Sequence, residues 1–99
     1  MREYRLTPRA ERDVEEIWRY TARQWSADQA EKYVGDLFDM MEDLAHERAQ
    51  GRSGETIRPG YWRRNVGAHV IFYKKADYGI AVVRVLHQRM DIESHFAQD

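Results

Sequence analysis

Ninety-nine residues, 42% of them apolar and 33% charged, suffice for one domain with a single modest core. The absence of cysteine excludes disulfides, thiolate catalysis and Cys-ligated zinc; no apolar run is long enough to span a bilayer, and the opening MREYRLTPRAERD lacks the apolar stretch of a signal peptide, so a cytoplasmic protein is expected. The net charge of −1 hides a division, with eleven acids against four bases in Glu11–Glu47 and seven bases against one acid in Arg58–Arg89. Helices from the first segment packed on a sheet from the second would make an electrostatically two-faced molecule, able to orient a charged partner.

Glu3–Leu6 reads as a short strand, with Tyr4 and Leu6 facing one way and Glu3 and Arg5 the other. Thr7 and Pro8 follow as N-cap and first helical residue, since proline has no N–H to leave unsatisfied and its φ is already helical. Behind them Ala10, Val14, Ile17, Trp18, Thr21, Ala22 and Trp25 recur at steps of three and four, one stripe of a helix. Glu11, Asp13, Glu15 and Glu16 crowd its first turns, where the macrodipole favours negative charge. Ser26 to Gln29 has capping-box spacing and opens a second helix, whose stripe is Ala30, Tyr33, Val34, Leu37, Phe38, Met41, Leu44 and Ala45. Two helices joined so tightly fold back as an antiparallel hairpin. Gly35 is read as a place of close helix–helix approach.

Ala49–Gly60, with three glycines and a proline, is a loop. Tyr61–Val66, Val70–Lys75 and Ile80–Leu86 follow as strands, turned by Gly67-Ala68 and Asp77-Tyr78-Gly79 into an antiparallel meander, and Gln88–Phe96 can form a terminal helix. The expected class is α/β (α+β): one domain of order β-α-α-β-β-β, with the helical hairpin on one face of the sheet. In the last strand Ala81, Val83 and Val85 are assigned to the helix-facing side, leaving Ile80, Val82, Arg84 and Leu86 on the other. That second face is too apolar to lie open to water, so the C-terminal tail, another copy or a separate protein should cover it, and a partner protein is the favoured cover for part of it.

Four stretches carry a resemblance. Tyr4–Ala10 (YRLTPRA) through Ile17-Trp18, Ile57–Tyr61 (IRPGY), Val66–Tyr73 (VGAHVIFY) and Val83–Asp91 (VRVLHQRMD) stand in the order and spacing of the ParE branch of the RelE/ParE toxins, which this chain resembles over nearly its full length. One departure is Glu47–Gly51, which lacks the proline that usually precedes the glycine of that loop. The resemblance implies a type II toxin made with a neighbouring antitoxin that wraps around it and represses their shared operon. It further implies that ParE-like members poison DNA gyrase, whereas RelE-like members cut mRNA on the ribosome.

RNA cleavage needs groups that activate a ribose 2′-OH, stabilise phosphorane charge and protonate the leaving oxygen. Arg63, Arg64, Tyr73, Arg84 and His87 are the candidates, but the ending Ile92–Asp99 is acidic and has no terminal Tyr or Lys. The favoured expectation is therefore a stoichiometric gyrase inhibitor, with no catalytic residue, neutralised in a hetero-oligomer by a ParD-like antitoxin. A ribosome-dependent endoribonuclease and an inactive toxin-fold binding module are the alternatives. Target contacts are expected at Arg63, Arg64, Arg84, His87, Arg89, Met90 and Asp91. Antitoxin contacts are expected at Trp18, Trp62, Arg63, Ile80, Val82, Arg84 and Leu86, with Trp62 as the anchor. Trp25, Tyr33 and Phe38 lie on helical stripes and read as core. His87, Asp91 and His95 have helical ligand spacing, but His87 belongs to a strand, so neither metal nor cofactor is expected. Direct DNA binding is not expected either, since no nucleic-acid motif accompanies the basic residues.

Overall fold

The computed structural model describes residues 2–97. They form β1 (Glu3–Leu6), α1 (Pro8–Gln24), α2 (Ala27–Ala45), β2 (Arg52–Ser53), β3 (Trp62–Val66), β4 (His69–Ala76), β5 (Gly79–His87) and α3 (Ile92–Ala97). The helix ends follow local chemistry. Thr7 accepts the Ala10 N–H at 3.1 Å, with Pro8 in the first turn, and Ser26 accepts the Gln29 N–H at 3.0 Å. Past α2, Glu47 takes a left-handed φ of 61°, the Glu47 N–H bonds the Leu44 carbonyl and the Arg48 N–H that of Asp43, the two bonds of a Schellman motif.

The apolar stripes are buried as expected: Ala10, Val14, Ile17 and Thr21 on α1; Ala30, Val34, Leu37, Met41, Leu44 and Ala45 on α2. Two expectations for the hairpin are corrected. Trp25 is 69% exposed, because it is the C-cap of α1, where φ of −128° has left the helical period. Gly35 marks no close approach, since a Cβ there would meet nothing within 4 Å.

The sheet has the order β1-β5-β4-β3-β2. The last three strands form the expected meander, β2 adds a two-residue edge inside the expected loop, and β1 pairs parallel to β5 from Glu3↔Gly79 to Leu6↔Val82. A parallel neighbour is possible because the helical hairpin carries the chain back across the sheet.

A bulge overturns the expected faces of β5. Phe72 stands opposite Arg84 but Tyr73 opposite Val82, so Val83 is extra and the alternation changes side there. Ile80 and Val82 before the bulge, and Val85 after it, join Ile71, Tyr73, Leu37 and Met41 in the core under the helices. On the other face Val70, Phe72 and Leu86 make a second cluster, closed by Phe96 of α3, whose ring centroid lies 5.0 Å from that of Phe72 and 5.4 Å from that of Tyr61. The face expected to need a partner is thus covered by the chain's own α3, Ile57 and Tyr61. Ile80 (2% exposed), Val82 (0%) and Leu86 (2%) are consequently withdrawn as antitoxin contacts.

Candidate functional site

Beyond Leu6 the first strand leaves the sheet, and α1 takes its place against the outer edge of β5. The Thr7 N–H bonds the Val82 carbonyl at 3.0 Å, and the Thr7 hydroxyl donates to that of Val83, also at 3.0 Å. Farther along α1, Asp13 accepts the Val85 N–H at 2.9 Å and grips Arg84 through both oxygens, at 2.8 and 3.0 Å. The two side chains are only 11% and 8% exposed, so this is a desolvated, bidentate pair. The carboxylate stands where a neighbouring strand would offer a carbonyl. Since the Val85 amide points away from β4, backbone alternation turns that of His87 the same way.

Between α1 and this end of β5 opens a cleft of about 460 Å³. Ile17, Val85 and Leu86 line its apolar part, and Tyr20 (54% exposed) and Met90 (44%) flank it. Its polar lining is Glu16, His69, His87, Arg89 and His95, besides the Asp13–Arg84 pair. His69 opens β4 opposite His87, the ring centroids 5.2 Å apart at 82°. The Tyr33 hydroxyl, reaching down from α2, accepts the Ala68 N–H at 3.0 Å and lies 2.6 Å from His69 Nδ1 and 3.4 Å from the Val66 carbonyl. The hydroxyl has one proton: given to the Val66 carbonyl it leaves His69 Nδ1 to donate, and given to the shorter contact it makes His69 Nδ1 the acceptor. Burial, reinforced by His87 and only partly offset by Asp13, lowers the His69 pKa to about 4. At neutral pH the ring is therefore uncharged, and in the second arrangement its one proton is on Nε2. His87 Nδ1 accepts the Arg89 N–H at 3.0 Å, which puts the proton of neutral His87 on Nε2 as well. His95 is the reverse: its Nδ1 lies 3.0 Å from the Asp91 carbonyl and must donate, leaving Nε2 as an acceptor in the neutral ring.

Residues 4–92 match the family described as ParE toxin of type II toxin-antitoxin system, parDE. The chain belongs to the ParE toxin family. Toxin ParE1 of Mycobacterium tuberculosis is 44% identical over 91 residues, which cover 91% of this chain and 93% of that one. Toxin ParE1 of Caulobacter vibrioides is 37% identical over 95 residues, covering 96% and 98%, and Toxin ParE of Escherichia coli is 32% identical over 98, covering 98% and 95%. A solved chain of the chromosomal ParDE TA system from P. aeruginosa shares the fold, with a TM-score of 0.74 at 19% identity over 88% of this chain and 96% of its own.

In this ParE toxin the cleft gathers Arg84, His87, Arg89 and Met90 from the expected target contacts. Asp91 follows in the chain, but its carboxylate accepts from the hydroxyl and amide of Ser94, at 2.7 and 3.3 Å, which hold its pKa below the usual range. Arg63 and Arg64 lie elsewhere, on β3 and on opposite faces. Arg63 stands opposite Phe72, its guanidinium 5.5 Å from that ring and its buried Nε without a hydrogen-bond partner among the described residues. Arg64, opposite Ile71, donates to the Gln50 carbonyl at 2.8 Å. Of the expected antitoxin contacts, Trp18 is half-buried and donates to Glu31 at 3.2 Å. Trp62 is half-buried under Lys75, whose Nζ lies 4.2 Å from the ring centroid, in a second cleft of about 430 Å³ shared with Arg2, Leu44 and Glu47.

Asp13, Tyr33 and His69 were not foreseen as members of a site. For Asp13 a weak signal exists: it borders the apolar stripe, about 40° from Ile17 on the helix, where a half-buried carboxylate calls for a cation. Tyr33 and His69 are brought together only by the packing of α2 on the Gly67-Ala68 turn.

Proposed function

We propose that this ParE toxin acts by binding DNA gyrase stoichiometrically, turning over no substrate of its own, and that a ParD-like antitoxin neutralises it. One observation carries this choice over RNA cleavage: the groups that would have to converge on one phosphate stand apart. Arg84 is buried against Asp13, and Arg64 is turned to the Gln50 carbonyl. Tyr73 is buried four residues along β4 from His69, about 13 Å at strand rise. General acid–base chemistry needs its donors within hydrogen-bond reach of the reacting atoms. His87, Arg89 and Met90, by contrast, share one open cleft, an arrangement suited to contact with a macromolecule. Membership of the ParE family supports gyrase as that macromolecule.

Supercoiling and cleavage assays with purified toxin test this. Supercoiling should stop, and cleaved DNA accumulate, at near-equimolar toxin; gyrase untouched at several-fold excess refutes the target. Codon-specific cuts in toeprints of translating ribosomes, lost in Arg64→Ala or His87→Ala, would establish the nuclease instead.

For neutralisation the β2–β3 edge is the proposed contact. Trp62 lies on its helix side and Arg63 on the other, so an antitoxin segment that wraps this edge reaches both. An acidic side chain there can pair with the accessible part of the half-buried Arg63 guanidinium. Affinity for the antitoxin should fall as salt rises, because the ionic contact is partly exposed; an affinity independent of salt refutes it.

A further inference from the structure

We propose that the cleft between α1 and the end of β5 is a carboxylate-binding site for an acidic, partly apolar peptide segment of the toxin's protein target, held by the Nε2–H groups of His69 and His87 together with the Arg89 guanidinium. This rests on the reading that the cleft is where the target is engaged, and adds the chemistry that recognises it.

The donors follow from the hydrogen bonds already described. The Arg89 amide occupies Nδ1 of His87, so that ring when neutral keeps its proton on Nε2; in the arrangement proposed, the Tyr33 proton goes to the nearer acceptor, His69 Nδ1, leaving a proton on Nε2 there as well. Two imidazole donors from paired positions of neighbouring strands thus line one cleft, with Arg89 beside them. Among the described residues no ion pair engages Arg89. Asp13 does not compete for these donors, since Arg84 and the Val85 amide hold its oxygens. Fixed donors of this kind favour a carboxylate, whose hydrogen bonds are charge-assisted and stronger than neutral ones.

The remaining lining decides between a peptide and a bare oxyanion. Glu16 and the Nε2 lone pair of His95 are acceptors, and Glu16 repels an anion that brings no donor of its own. A peptide supplies backbone N–H groups for them, and apolar side chains for Tyr20, Met90 and the Ile17–Val85 floor. The Val85 amide is held by Asp13 and the His87 carbonyl by the Met90 N–H, so the outward edge of β5 adds only the Val85 carbonyl and the His87 amide for an extended segment.

The probe is the peptide acetyl-Leu-Glu-Leu-Asp-Leu-amide, titrated at pH 7 and low salt into the ¹⁵N-labelled full chain and followed by NMR. Its Gln/Asn counterpart and inorganic phosphate are the comparison ligands. Saturable shifts are expected at the Arg89 and Met90 amides and at the His69 and His87 side-chain nitrogens. Affinity should fall about tenfold for Arg89→Gln and for His87→Phe, the loss of one charge-assisted hydrogen bond in each case. Arg89 is exposed, so its variant remains a decisive test even if His87→Phe fails to fold. Equal binding of the Gln/Asn peptide, unchanged affinity in Arg89→Gln, or shifts confined to other surfaces would overturn the proposal. So would displacement of the peptide by phosphate at matching concentrations, which would mark a phosphate site of the kind a nucleic acid fills. Gyrase inhibition, run on the same samples, keeps the two questions apart. A chain that binds the peptide but spares gyrase refutes the target alone; one that stops gyrase but ignores the peptide refutes only the carboxylate site.

Discussion

Replacing Asp13 by alanine should cost more stability than any other exchange on α1. The carboxylate accepts from Arg84 at 2.8 and 3.0 Å and from the Val85 amide at 2.9 Å, and neither charged side chain is more than 11% exposed. Forming such a pair gains little over an apolar one, but removing one partner strands the other's charge in a poorly solvated place, at about 3–5 kcal/mol. The Val85 amide loses its acceptor at the same time, adding about 1 kcal/mol or more unless water enters. A loss of roughly 4 kcal/mol would consume much of the 5–15 kcal/mol typical of a folded domain and lower the melting temperature by upwards of about 15 °C. Urea unfolding of the wild type, Asp13→Ala, Arg84→Met and the double variant closes the cycle. The double variant should be more stable than Asp13→Ala alone, because it no longer buries a guanidinium that has lost the Asp13 carboxylate. If Asp13→Ala costs less than about 1 kcal/mol, or the double variant is the weakest of the four, the pair is solvated and the reasoning is wrong.

Gly79 has φ of +141°, and a Cβ there would overlap the Glu3 carbonyl, so Gly79→Ala should destabilise by about 2 kcal/mol or more and expose the β1 amides to hydrogen exchange. Glu47→Gly should stabilise by about 0.5–1 kcal/mol in urea unfolding, since the left-handed φ of 61° is strained for glutamate and free for glycine. His69 has a pKa lowered to about 4, so the unfolded chain takes up its proton first as pH falls. The stability it contributes is complete above about pH 6.5 and lost towards pH 4, an effect of about 1–2 kcal/mol once partial solvent screening is allowed for. Urea midpoints of the wild type and His69→Gln should therefore draw together between pH 7 and pH 4, and a constant gap would refute the assignment.

What the chain announces in advance is local chemistry. Thr7-Pro8 and Ser26 mark the helix starts because a cap needs only its own neighbours, and the stripes from Ala10 and Ala30 mark the buried faces because period alone sets them. The faces of β5 were illegible for a physical reason. From Ile80 to Leu86 every residue but Arg84 is apolar, so alternation carries no phase and a bulge at Val83 leaves no trace in the pattern. The same apolar surplus pointed outward to a partner when the chain's own Phe96 was available to close it. At the candidate site, Arg84–Met90 was visible as a contiguous stretch. Asp13, Tyr33 and His69 come from α1, α2 and the start of β4, and only their tertiary meeting makes them neighbours.

The position of the cleft follows from unequal strand lengths. β1 has four residues and β5 nine, so the outer edge of β5 outruns its parallel neighbour just past Val82. An uncovered edge invites pairing with another chain, and proteins guard such edges with charge, bulges or covering elements. All three stand here: the bulge at Val83, the buried Asp13–Arg84 pair, and α1 laid across with Asp13 on the Val85 amide. The guard ends at that amide, and from there to His87 the edge faces the histidines, Arg89 and Met90 instead of a strand. A toxin that works by the proposed binding to other proteins gains from this division, because the stretch left open is short and its chemistry selective. A β1 lengthened to pair along β5 past Val82 should therefore close the cleft and, with the target contact where it is proposed, abolish gyrase inhibition while leaving the rest of the sheet intact.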